Sequence, residues 1–182
     1  MSPRDIPNIL CILRMLLTVP VAWMILAGNY AGALLLFFVA GFTDGLDGFL
    51  AKRYGWQTEL GGLLDPIADK LLMFSAFVTL WVVGAVPVWL LAAVVGRDLV
   101  IVAGAITYRA RRGPFEASPT RISKANSALQ LLFVLVTLLR LATGVPAAIV
   151  PGLLSWCVLA TTLASGADYV LSWTTRFRAA GR

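Results

Sequence analysis

The chain has 182 residues, 59% of them hydrophobic and 13% charged, with a formal net charge of +6 and a mean hydropathy of +0.86. A soluble domain carries roughly 45–50% apolar and about 25% charged residues, so a single water-facing fold is excluded and a chain that turns much of its surface to lipid is implied. Histidine is absent, which removes the commonest general base and the usual nitrogen ligand of zinc and leaves acid–base work to carboxylates, Lys, Tyr or Cys.

In chain order, the first apolar stretch is Asn8–Leu26. It runs past the length of a signal-peptide core and contains Arg14, so it reads as a retained membrane helix whose arginine faces a polar cavity. The turn Ala27-Gly28-Asn29-Tyr30 leads into Ala31–Leu50, and Tyr54-Gly55-Trp56-Gln57 precedes Gly61–Val83. Gly84-Ala85-Val86-Pro87 separates that stretch from Val88–Tyr108. The basic segment Arg109–Thr120 leads to Ser123–Leu141, and Thr143-Gly144-Val145-Pro146 to Ala147–Trp173. Each stretch is close to the roughly 20 apolar residues that a membrane-crossing helix needs, and each break is rich in turn formers. The expected fold is an all-α integral membrane protein with six transmembrane helices. No polar linker is long enough to divide it, so residues 1–182 read as one domain. Cys11 and Cys157 lie inside apolar runs and read as small buried hydrophobes, not as a disulfide.

The loops sort by charge. Arg4 precedes the first helix, Lys52 and Arg53 follow the second, Arg109, Arg111, Arg112, Arg121 and Lys124 surround the fourth connection, and Arg176, Arg178 and Arg182 follow the sixth helix. The other three connections hold no Lys or Arg. Six spans with both termini cytoplasmic satisfy the positive-inside rule at every loop. The net charge then serves orientation and attraction to anionic membrane lipid, above all through Arg109, Arg111 and Arg112, and no nucleic-acid partner is expected.

Four carboxylates break the apolar pattern. Asp44 and Asp47 lie at the end of the second helix and Asp65 and Asp69 at the start of the third, joined by a short connection on the cytoplasmic side. Spacings of three and four residues put each pair on one helical face. Converging carboxylates repel one another and are costly to desolvate unless a cation joins them, and hard divalent cations with oxygen ligands meet that need. A helix N-terminus alone would account for Asp65, but Asp44 and Asp47 lie near a C-terminus, where negative charge is unfavourable. Gly48, Gly61 and Gly62 beside them allow close approach of a backbone or ligand. Intramembrane acids also mark ion pathways, so a small cation transporter is the alternative of another class; transport sites tend to lie near the midplane, whereas these acids gather toward one face beside a cationic loop.

The run Asp44-Gly45-Leu46-Asp47-Gly48-Phe49-Leu50-Ala51-Lys52, followed by Gly61, Asp65 and Asp69, resembles the signature of the CDP-alcohol phosphatidyltransferase family, D-x2-D-G-x2-A-R-x8-G-x3-D-x3-D. Every spacing matches. The departure is Lys52 in place of Arg, which keeps the charge but not the planar two-pronged contact. The resemblance implies a transferase that uses two divalent ions, Mg2+ or Mn2+, to move a phosphatidyl group from CDP-diacylglycerol to an alcohol with release of CMP. It implies Asp44, Asp47, Asp65 and Asp69 as metal ligands, with Asp69 also the general base. It further implies Asn8, Asp47, Gly48, Lys52, Thr58 and Gly61 around the CDP-lipid, a homodimer, and an inner (cytoplasmic) membrane location with the active site facing the cytoplasm.

The remaining motifs bear on the acceptor. Ile6-Pro7-Asn8-Ile9-Leu10 with Arg14 resembles the opening of phosphatidylglycerophosphate synthases and CMP-forming cardiolipin synthases, though Pro7-Asn8 is equally a plain helix start. Gly96-Arg97-Asp98 lies mid-helix; adjacent helical residues do not face one direction, so Arg97 is expected to point into the active cavity. Pro119-Thr120-Arg121-Ile122-Ser123-Lys124-Ala125-Asn126 through Gln130 resembles a stretch of the cardiolipin synthases, with Asn126 where phosphatidylglycerophosphate synthases tend to carry a lysine. A dianionic glycerol-3-phosphate would reward that extra cation, and a monoanionic phosphatidylglycerol would not. Thr161-Thr162-Leu163-Ala164-Ser165-Gly166 is similar to the same group but suits helix packing as well. Arg97, Arg121, Lys124 and Asn126 are therefore the candidate acceptor or phosphate residues. Phosphatidylglycerol is the expected acceptor and glycerol-3-phosphate the alternative.

Overall fold

The computed structural model describes residues 6–54, 59–112 and 120–179, with side chains for 9–43, 67–104 and 120–171. These form α1 (Ile6–Leu26), α2 (Tyr30–Tyr54), α3 (Glu59–Val82), α4 (Val88–Arg112), α5 (Arg121–Thr143) and α6 (Ile149–Ala179), with no strand among the described residues. At 21 to 31 residues each, the helices are about 30 Å long or more, the thickness of a bilayer's hydrocarbon core. Among the described residues, three stretches are long and apolar enough to cross a membrane: Ile9–Leu26, Arg121–Thr143 and Ile149–Leu171. Tyr30–Thr43 is a shorter apolar helix.

The helix ends at the uncharged turns lie within two residues of the sequence expectation, and the ends beside the charged loops run further. α2 continues to Tyr54, α4 to Arg112 and α6 to Ala179. The reason is that hydropathy reads only the lipid-facing window, whereas Ala, Lys and Arg sustain a helix beyond it. At the uncharged turns, Gly28 (φ 76°) and Gly84 (φ 77°) take the left-handed conformation that ends a helix. The amides that follow them bond back across the last turn, Asn29 N–H to Met24 C=O at 2.9 Å and Ala85 N–H to Leu80 C=O at 2.8 Å. Asn29 then caps α2, its Oδ1 accepting from Gly32 N–H at 3.1 Å.

The chain divides into two compact units: Met1–Val86 with Val134–Ala148, and Pro87–Phe133 with Ile149–Arg182. In the first, α1 packs on α2 and α3. Its buried stripes follow the helical repeat: Cys11, Arg14, Val21 and Ile25 on α1, Ala33, Phe37 and Ala40 on α2, and Ala68, Leu72, Ala76 and Leu80 on α3. The buried alanines let the backbones approach closely, the usual solution where lipid supplies no hydrophobic drive. Arg14 is 1% exposed, so its charge is held within protein and kept out of lipid. In the second unit α4 packs against α6, and Trp89 stacks on Trp156 with ring centroids 5.0 Å apart.

Outside these stripes large apolar side chains face outward, among them Leu16, Val19, Trp23, Leu35, Phe42, Leu99, Leu153 and Leu163. A water-soluble monomer does not carry such continuous apolar cover, and lipid explains it. Trp23, Trp81 and Trp89 lie at the ends of α1, α3 and α4 beside the uncharged turns, where amphipathic rings anchor at a membrane interface. Enlarging a residue in the close helix contacts should cost stability. Ala76→Leu is expected to lower the thermal unfolding midpoint in detergent, equivalent to about 1–3 kcal/mol of overpacking, while the outward Leu16→Ala moves it little.

Candidate active site

Asp44, Asp47 and Asp65 lie on the helical backbone of α2 and α3, but their side chains fall outside the described residues, as do those of Asn8 and Lys52. Thr58 lies in the connection outside the described residues, and of Gly48 and Gly61 only helical placement is given. Asp69 is described and is half-buried on α3. Among the described residues no group of three or more His, Cys, Asp or Glu stands together; the side chains of the other three expected ligands lie outside that set. The donor chemistry fits a hard divalent cation: four carboxylates in two one-turn pairs on helices with no histidine or cysteine among them.

The second unit carries a polar seam built from α4, α5 and α6. Thr120 caps α5, its Oγ1 accepting from Ser123 N–H at 3.2 Å. From there one buried face of α5 presents Ser123, Asn126 and Gln130 at helical spacing. On α6 the buried face presents Ser155, Val158, Thr162 and Ser165.

Arg97 of α4 ties the seam together. Its Nη2 donates to Ser123 Oγ at 2.5 Å and to Ser165 Oγ at 2.8 Å, and its Nε lies 3.3 Å from Ser165 Oγ. Its Nη1 donates to Asp98 Oδ1 at 2.7 Å. The adjacent residues thus do form an ion pair, contrary to the expectation from helical geometry. The long Arg97 side chain reaches the Asp98 carboxylate with one nitrogen while its others bond hydroxyls on α5 and α6. The Tyr169 ring lies 5.9 Å from the guanidinium, within cation–π range. Gly166 lies against the arginine stem, where an added Cβ would be 3.8 Å from Arg97 Cγ, ordinary contact.

Farther along the seam, Thr161 and Thr162 both donate to Asn126 Oδ1 at 2.9 Å. Asn126 is wholly buried and its Nδ2 has no hydrogen-bond partner; Gln130 Nε2, also buried, has none. Of the four candidate acceptor residues, the structure gathers Arg97 and Asn126 into this seam, whereas Arg121 and Lys124 stand exposed at the start of α5. Ser123 and Ser165 as partners of Arg97, and Thr161 and Thr162 as partners of Asn126, were not expected from the sequence. The available signal was the matched one-turn spacing of polar residues on α5 and α6.

Comparison with known proteins fits the acidic run. Residues 4–164 match the family model of the CDP-alcohol phosphatidyltransferases. The chain is 33% identical to a Schizosaccharomyces pombe protein named cardiolipin synthase (CMP-forming) / mitochondrial hydrolase fusion protein, over 97% of this chain and 32% of the relative. It is 33% identical to cardiolipin synthase (CMP-forming) of Rattus norvegicus, over 92% of this chain and 61% of the relative. It is 31% identical to the chloroplastic CDP-diacylglycerol–glycerol-3-phosphate 3-phosphatidyltransferase 1 of Oryza sativa subsp. japonica, over 93% of this chain and 57% of the relative. The chain therefore spans less than two thirds of the length of each.

The seam's demands make a stability prediction. Lys at position 97 cannot serve two hydroxyls and a carboxylate in one plane, so Arg97→Lys is expected to cost about 1–3 kcal/mol through unmet buried groups. Thermal unfolding of the purified protein in detergent reads it, with Arg121→Lys as the neutral comparison.

Proposed function

Because the chain belongs to the CDP-alcohol phosphatidyltransferase family, we propose that it transfers the phosphatidyl group of CDP-diacylglycerol to phosphatidylglycerol, forming cardiolipin and releasing CMP. The observation that carries this reading is the acidic run from Asp44 to Asp69, complete in its spacing, in a chain that matches the family model over residues 4–164. The yeast and rat relatives both bear the name of a CMP-forming cardiolipin synthase, and Asn126 supplies no charge where a phosphomonoester would reward one.

Asp44, Asp47, Asp65 and Asp69 would hold Mg2+ or Mn2+, two ions in this reading. The bound ions supply charge neutralisation of the pyrophosphate and of departing CMP. The chain's own residues do the rest. Asp69 accepts the proton of the acceptor hydroxyl as its oxygen bonds to the phosphatidyl phosphorus. The bond from that phosphorus to the bridging oxygen of the pyrophosphate breaks, and CMP leaves with the electron pair. Asn8, Asp47, Gly48, Lys52, Thr58 and Gly61 embrace the CDP-lipid, and Arg97, Arg121, Lys124 and Asn126 serve the acceptor. The working protein is a homodimer of single-domain chains, each with six spans. Both termini and the active site face the cytoplasm at the inner membrane.

The rice relative named for glycerol-3-phosphate transfer supports a second reading, in which the product is phosphatidylglycerophosphate. Reconstituted protein given CDP-diacylglycerol and Mg2+ or Mn2+ is expected to release CMP with phosphatidylglycerol. Release only with glycerol-3-phosphate selects the second reading, and release with neither removes both. Chelation by EDTA is expected to abolish turnover and added Mg2+ or Mn2+ to restore it. Asp69→Asn is expected to keep CDP-lipid binding while kcat falls about 10²–10⁴-fold, the usual worth of a general base; normal turnover in that variant removes Asp69 from the role.

A further inference from the structure

The side-chain amide nitrogens of Asn126 and Gln130 on α5, both without a hydrogen-bond partner, are the least explained polar groups among the described residues of the second unit. Asn126 is 0% and Gln130 6% exposed. They lie four residues apart on one helical face. Thr161 and Thr162 both donate to Asn126 Oδ1, and its Nδ2 has no hydrogen-bond partner. A buried amide donor left without an acceptor costs on the order of 1–3 kcal/mol. Two such donors on one face describe a site that an oxygen-rich group completes.

The charge of that group follows from the surroundings. Asn126, Gln130, Thr161 and Thr162 are neutral. Arg97, the cation of the seam, is bonded to Ser123 and Ser165 and paired with the Asp98 carboxylate, and Arg121 and Lys124 stand exposed at the start of α5, so the seam beside the two amides offers little net positive charge. A dianion would enter a low-dielectric site without compensation, whereas amide donors suffice for a group with one negative charge or none.

We infer that Asn126 and Gln130 form a paired amide site that binds the monoanionic phosphodiester headgroup of the acceptor lipid, with Thr161 and Thr162 as positioning residues. The inference deepens the phosphatidylglycerol reading and rests on it for the acceptor's identity. Acceptor choice then depends on neutral donors that favour a phosphodiester over a phosphomonoester, and Gln130 takes a role as large as that of Asn126.

Full-length protein in neutral detergent, without CDP-diacylglycerol, tests the site by thermal shift with dioctanoyl phosphatidylglycerol and, as the dianionic control, glycerol-3-phosphate. Wild type is expected to gain stability from the lipid but not from the control. Gln130→Met removes the donor at similar volume; it is expected to leave the lipid-free midpoint unchanged or raised and to abolish most of the lipid shift. Its KM for phosphatidylglycerol should rise about tenfold or more, the worth of a hydrogen bond to a charged group, with KM for CDP-diacylglycerol unchanged. Thr161→Val with Thr162→Val, which frees the Asn126 amide, should weaken the same KM without touching the donor's.

A lipid-free midpoint that drops in Gln130→Met with an intact lipid shift shows a purely structural residue and overturns the inference. So does a rise confined to the KM for CDP-diacylglycerol, or a wild type that phosphatidylglycerol does not stabilise. Wild-type turnover with glycerol-3-phosphate alone, beside an intact Gln130-dependent lipid shift, overturns the proposed acceptor and leaves the amide site standing.

Discussion

Inside a bilayer there is no water to complete a hydrogen bond, and every polar group that enters the hydrocarbon region must find its partner within protein or bring a ligand with it. That constraint organises the whole chain. It forces the described backbone into long helices, whose amides and carbonyls bond within the segment. It also turns each polar side chain in an apolar run into a commitment. Arg14 is nearly fully enclosed, and Arg97 donates to two serines and an aspartate on three helices.

The same constraint separates two kinds of chemistry. Carboxylates spaced as on α2 and α3 would repel one another on meeting unless a cation joined them, so the acidic run in the sequence is a demand for positive charge. The seam of α4, α5 and α6 is nearly neutral, and its unmet groups are donors, so its demand is for oxygen acceptors. A phosphatidyl transfer needs both: charge neutralisation where a pyrophosphate is broken, and recognition of an acceptor whose own headgroup carries little charge. In the proposed reaction, the acidic run of the first unit would serve one task and the amides of the second unit the other.

Much of the fold is legible in the order of residues along the chain. Helix ends at the uncharged turns follow from Gly28, Gly84 and Pro87, because left-handed glycine and a missing amide are local chemistry. Ends beside the charged loops read too short from hydropathy, which marks where lipid stops and not where a helix does. The Arg97–Asp98 pair escapes the sequence for a related reason: average helical directions do not describe a long, flexible side chain that hydroxyls on other helices pull into place.

The sequence by itself determined the membrane-helical class, the acidic run and the family, because each depends on composition or on spacing along one segment. Tertiary structure alone decided which polar residues form a network. Ser123 and Ser165 meet on one guanidinium although they lie 26 and 68 residues from Arg97, and Asn126 meets hydroxyls 35 and 36 residues away. No local pattern encodes those distances. They follow from how α4, α5 and α6 pack, and that packing turned Asn126 from a position in a motif into a buried amide whose oxygen is bonded and whose nitrogen is not.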